Sequence, residues 1–136
     1  MSPAINDPFT AITCLDYLAD GLAKYARYGE SSPNFYDKDG RLRLIFEPAT
    51  LTELLDAAFD MLRHASCDNA SVLLAMLDAI DDIGQETESP EARRGLLCHV
   101  HLVQAESQAG ALIEKDCQVI RLRCETLEKA LVAVPG

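Results

Sequence analysis

The chain has no tryptophan, few aromatic residues, a shortage of basic side chains and no long apolar run. Each shortage removes a class of protein. The longest uninterrupted apolar stretch, Val72 to Leu77, falls far short of the ~20 residues that cross a bilayer, so no transmembrane segment is read. The N-terminus lacks a basic region followed by an apolar one, which predicts cytoplasmic synthesis without a secretion signal. The seven glycines stand apart from one another and offer no phosphate-cradling loop. With 12 basic against 22 acidic residues the net charge is −10, which repels nucleic acid and anionic headgroups at long range. Nucleic acid is therefore excluded as a partner, and a membrane is approached only indirectly. The five cysteines are an odd number without a CxxC pair. They read as reduced thiols on apolar helix faces rather than as a disulfide framework.

What is present is an aliphatic, helix-forming pattern. Hydrophobic residues make up 49% of 136 residues, enough for one self-sufficient domain over 1–136. Asp7-Pro8 signals a helix start, and Ile12, Leu15, Ala19, Leu22 and Ala26 recur at steps of three and four, predicting a helix from Pro8 to about Tyr28. Arg41-Leu42-Arg43-Leu44-Ile45-Phe46 alternates behind an Asp37-Lys38-Asp39-Gly40 corner, which predicts a β-hairpin over about 34–47. Two strands alone are marginal in water, so Leu42, Leu44 and Phe46 are expected to lie on the helices or to cover a partner. Thr50 with Glu53 forms a capping box for a second helix. Asp68 or Asn69 caps a third, which Gly84 is expected to stop, and Ser89-Pro90 opens a fourth. Helical character then continues almost to Ala133. A break near Gly110 is expected, with Asp116 capping a fifth helix whose Cys117, Ile120, Cys124, Leu127, Leu131 and Val134 make a short heptad seam. That seam packs within the bundle or pairs with another subunit. The fold class is accordingly mainly α, a bundle of about five helices with one β-hairpin between helices one and two.

Few residues suggest chemistry. His64 with Cys67, and Cys98 with His101, sit three residues apart, so two helix faces bearing them are weak candidates for a four-ligand metal site. The spacing is unspecific, and buried thiols beside helix-end histidines explain it as well. Asp37, Asp39 and Gly40 resemble part of a calcium loop, but Arg41 and Pro48 would occupy ligand positions, so a turn is the reading. Asp78, Asp81, Asp82, Glu86, Glu88 and Glu91 form an acidic run, ordinarily a solvated one. Tyr17, Lys24, Tyr25, Arg27 and Tyr28 make a small basic and aromatic cluster on helix one. No nucleophile with a neighbouring base stands out, so no catalytic residue is assigned and no cofactor is expected.

One segment has more fixed features than its helix needs. Asp7 and Pro8 suffice to start helix one, yet Ser2, Pro3 and Asn6 precede them. This entry, continued as Phe9-Thr10-Ala11-Ile12-Thr13-Cys14-Leu15-Asp16, resembles the start of the C-terminal region of bacterial predicted membrane proteins grouped as domain of unknown function 2254. The likeness extends more loosely through Asp39-Gly40-Arg41-Leu42-Arg43 and Asp56-Ala57-Ala58-Phe59-Asp60 to about Gln108. Members of the family resemble longer chains in which transmembrane helices precede this motif. The resemblance implies a soluble C-terminal domain, cytoplasmic by itself and membrane-associated within a longer protein, and no activity follows from the family. A non-enzymatic role in assembly or regulation is expected instead from the good core pattern, the lack of a catalytic constellation and an entry motif with more fixed features than its helix needs. The domain's expected partners are the upstream membrane part or further copies of itself. The alternative is a small ligand- or metal-binding sensor or enzyme with a site between helices, drawing on His99, His101 or Cys98.

Overall fold

The structure is a computed structural model that describes residues 7–28, 34–36, 39–40, 42–45, 50–66 and 68–133. Its helices are α1 (Pro8–Tyr28), α2 (Leu51–Ala65), α3 (Ala70–Glu86), α4 (Pro90–Ala109) and α5 (Glu114–Val132). Local chemistry sets most of their ends. The Thr50 hydroxyl accepts from the Glu53 N–H while the Glu53 carboxylate accepts from the Thr50 N–H, completing the capping box. Asn69 caps α3 through the Val72 N–H, and Ser89 caps α4 through the Ala92 N–H, with Pro90 at its first position. The long C-terminal helical run is broken at Gly110, whose N–H closes the last turn of α4 onto Glu106. Asp116 does not cap α5: Ile113 holds the cap position without a side-chain bond, and Asp116 lies inside the first turn.

The expected fold class needs correction. The architecture is an all-α five-helix bundle, and the hairpin expected over about 34–47 is not a packed element of it. The backbone there makes only a minimal antiparallel ladder, β1 (Asn34–Tyr36) against β2 (Leu42–Ile45), with a register shift between Phe35 and Tyr36 and Gly40 at φ 79° in the turn. Among the described residues neither strand backbone lies broadly against a helix. Three residues opposite four, interrupted by an irregularity, cannot add a layer to a core. Phe46 and the residues around Pro48 lie outside the described residues.

α3 is the hub. Val72, Leu73, Met76, Leu77, Ile80 and Ile83 are all but fully buried, and the helix packs against α1, α4 and α5. Its most extensive seam is with α1, where Ala11, Leu15, Ala19 and Leu22 are buried. Gly84, expected to stop α3, lies buried inside it. A Cβ there would stand 2.9 Å from Leu131 Cδ2, so this glycine serves close approach of α5 rather than termination. α2 runs alongside α4 in the same direction: Thr52 meets Gly95, Asp56 meets His99, and Arg63 meets Glu106. The heptad residues Ile120, Cys124, Leu127 and Leu131 are buried within the bundle, so that seam is consumed inside one chain. The cysteines depart from expectation. Cys124 is buried, Cys117 half-buried, and Cys14 and Cys98 exposed, because the latter two fall just beyond the buried stripes of α1 and α4.

Candidate functional site

The entry of α1 is built around Asp7. Its Oδ1 accepts from the Phe9 N–H at 3.1 Å, its Oδ2 from the Thr10 hydroxyl at 2.6 Å, and its carbonyl from the Ala11 N–H at 3.0 Å. Pro8 follows with no N–H to satisfy. The Thr10 hydroxyl above all, joined by the Thr10 and Phe9 N–H groups, holds the Asp7 carboxyl below its ordinary range. Ser2, Pro3 and Asn6, the rest of the entry motif, lie outside the described residues.

From this entry α1 runs beside α3 and leaves a groove of about 500 Å³. Ala19, Ala23, Ala75 and Ala79 are among its lining, and Asp16, Asp20, Asp78, Asp82 and Glu86 give it carboxylates from both helices. Arg27 is the one cation among the lining residues, and its Nε donates to Glu86 Oε2 at 2.9 Å. That bond lowers the Glu86 carboxyl below its usual range. Asp82 moves the other way, raised first by desolvation and then by the negative charges of Asp81, Asp78 and Asp16. Arg123 relieves part of the crowding, donating to Asp78 at 2.9 Å and lying 3.5 Å from Asp81. The acidic run of the sequence thus borders a groove with a negative field rather than a bare solvated edge.

Of the weak metal candidates only His64, Cys98 and His101 are described. His64 is exposed on α2, with Nδ1 3.7 Å from Glu106 of α4, whereas His101 on α4 faces Glu128 of α5. Cys98 is exposed and Cys67 lies outside the described residues. Among the described residues no three His, Cys, Asp or Glu side chains gather as metal ligands. In the basic and aromatic cluster of α1 the two cations are paired, while Tyr17 is exposed. Lys24 lies 3.0 Å from Asp20 and Arg27 is held by Glu86.

Sequence reasoning missed two polar arrangements. Buried His99 donates from Nε2 to Asp56 Oδ1 at 2.7 Å and packs against the Phe59 ring, while its Nδ1 finds no partner among the described residues. Arg93 donates from Nε to the Thr87 carbonyl, from Nη1 to the carbonyls of Ala130, Leu131 and Ala133, and from Nη2 to that of Gly84. One guanidinium thereby serves the otherwise unpaired carbonyls near the ends of α3 and α5. The two arrangements join residues 6 to 43 positions apart, and for all but the Arg93–Thr87 bond only knowledge of helix neighbours would have linked them.

Among the described residues no helix is long and apolar enough to cross a membrane. No curated protein and no solved structure matches the chain. A family model described as predicted membrane protein, DUF2254, matches residues 1–82, taking in the entry motif, α1, α2 and most of α3, and stopping short of Gln108. That match covers more than half of the 136 residues, and the chain belongs to the DUF2254 family of predicted membrane proteins.

Proposed function

We propose that this bundle is a non-catalytic assembly or regulatory domain, coupled to the membrane part of a longer protein through the entry of α1. The observation that carries the reading is mechanical. Asp7 binds the first turn of α1 through both carboxylate oxygens and its carbonyl, and α1 lies along the hub helix over the most extensive seam of the fold. A pull or rotation on the chain before residue 7 is therefore delivered to α1 and from there to α3. Ser2, Pro3 and Asn6 supply the features that capping does not need, and Asn6 with Asp7 organises the joint.

The test uses the complete membrane protein, purified in detergent, carrying Asn6→Ala. The assembled fraction is read by size-exclusion chromatography with light scattering, and the melting temperature of the 136-residue chain carrying the same change is read beside it. Loss of assembly with an unchanged melting temperature is expected. Unchanged assembly abandons the joint.

A further inference from the structure

We infer that a cavity between the start of α4 and the end of α5 binds a small aliphatic carboxylate, with the chain inside and the head at Arg94. The cavity measures about 270 Å³, and Pro90, Leu97, Leu131 and Val132 are among its lining. That lining is almost wholly apolar, so the two arginines of its wall, Arg93 and Arg94, give it their stems and carry their charge to its mouth. Its apolar side chains are not all consumed by the core. Leu97 is half-buried and Val132 is 66% exposed. Water in such a concavity finds few polar partners, which favours an apolar guest. An apolar cavity of about 150 Å³ holds a six-carbon ring, so this one suits a chain of roughly eight to ten carbons. The paired long chains of a bilayer lipid would overrun it.

Charge selects the head group. Arg93 is spent on the carbonyls of Gly84, Thr87 and α5, which carry no formal charge and leave its own uncompensated. Arg94 is exposed, and among the described residues it has neither a hydrogen bond nor an ion pair. Glu88, on the cavity wall, and Glu91, three residues before Arg94, lie beyond ion-pair distance of both guanidiniums. Elsewhere on this acidic chain Lys24, Arg27, Arg63 and Arg123 each face a carboxylate. Lys115, Arg121 and Lys129 also lack one, but none of them lines this cavity. The helix does not account for Arg94 either, because the N-terminal end of a helix favours acids over cations. Its planar fork takes a carboxylate through two parallel bonds. A purely polar anion would leave the apolar wall wet, and a neutral chain would leave Arg94 without a partner. An aliphatic carboxylate satisfies both.

The inference goes beyond the joint proposed at the entry of α1 and does not rest on it, since the two share no residue. Amide chemical shifts of the isotope-labelled 136-residue chain are followed while octanoate, octan-1-ol or acetate is added up to about 3 mM. Octanoate is expected to shift the amides of Leu97, Leu131 and Val132 towards saturation with a Kd of about 0.1–1 mM. Octan-1-ol should bind at least fivefold more weakly, and acetate should leave these amides unmoved. Arg94→Gln changes an exposed side chain, so it should melt as the unaltered chain does, bind octanoate about fivefold more weakly and bind octan-1-ol unchanged. Absent or non-saturating shifts with octanoate overturn the inference. So does octan-1-ol binding as tightly as octanoate, or Arg94→Gln binding octanoate as the unaltered chain does, since either leaves an apolar cleft with nothing that reads the carboxylate. Should Arg94→Gln fail to fold, the comparison of the two eight-carbon ligands decides by itself. Shifts at the same amides with phosphatidylglycerol vesicles but not with octanoate would assign the cavity to a bilayer lipid and overturn the short-chain ligand.

Discussion

The α1/α3 seam and the α4/α5 seam hold together in different ways. α1 meets α3 over a long contact in which Ala11, Leu15, Ala19 and Leu22 are buried, and the edge opens into the acidic groove. One polar contact that spans it, Arg27 to Glu86, is half-exposed and contributes little in water. α4 and α5 instead enclose Leu96, Val100, Val103, Ile120, Cys124 and Leu127 with 0–1% exposure, and Arg93 fastens the end of the pair to carbonyls of three segments. The first seam is broad, shallow and open to solvent along one side. The second is closed and locked. α1, which carries the family's entry motif, thus has the most extensive seam of the fold but leaves one side of it open to solvent.

The largest effect should come from the residue layer common to both seams. Ile80→Ala removes buried volume from the hub and is expected to cost about 2–5 kcal/mol in urea unfolding, with both seams lost in one transition. Two separate transitions would show that the seams are independent and would break the comparison.

Thiol chemistry contrasts the two regions without mutation. Cys14 lies on the open side of α1, whereas Cys124 is inside the second seam with its Sγ 3.8 Å from the Val100 carbonyl. Burial first, and then the charges of Glu128 and Glu125, push the Cys124 thiol up to about 11. At pH 8 that leaves about 100-fold less thiolate than an ordinary cysteine carries, before steric protection is counted. Mass-resolved maleimide labelling should modify Cys14 and Cys98 quickly and Cys124 only after unfolding. Early labelling of Cys124 would mean that the α4/α5 seam breathes as freely as the first.

Arg93→Met is expected to cost about 2 kcal/mol, because the aliphatic stem is retained while carbonyls of α3, α5 and Thr87 lose a charged donor. Hydrogen exchange should accelerate in the last turn of α5 and leave α1 unchanged. Lysine in its place should recover little, since one ammonium cannot reach every carbonyl that the planar fork serves.

These contrasts also mark what the sequence discloses. Helix starts at Thr50, Asn69 and Ser89 are legible because a cap is decided within four residues, and the stripes that become the core are legible because their spacing is local. Gly84 was misread because a glycine near a helix end has the same local signature whether it terminates the helix or admits Leu131. The alternation of Arg41 to Phe46 reads as a strand, but alternation does not show whether a packing surface is available for a hairpin. Cys14 and Cys98 sit beside apolar positions, and one step of 100° around a helix decides between core and solvent. The groove, the Arg93 clasp and the His99–Asp56 bond depend on which helices become neighbours. One sequence does not state that.

The smallest expected effect concerns the groove itself. Asp82 has a raised pKa in the fold, so its ionisation is harder in the folded chain than in the unfolded one, and its charge weighs against folding at neutral pH. Replacing it with Asn removes that charge and the i,i+4 repulsion with Asp78, a gain of about 0.3 kcal/mol at pH 7. As pH falls through the folded pKa of Asp82, the native side chain takes up its proton and the advantage of Asn should shrink, vanishing below the unfolded value of 3.8. Urea unfolding of the two chains at pH 7, 5 and 4 reads this directly. An advantage that persists undiminished at pH 4 would show that the carboxylates around Asp82 do not repel as their placement requires, and the field of the α1/α3 groove would have to be assigned to other residues.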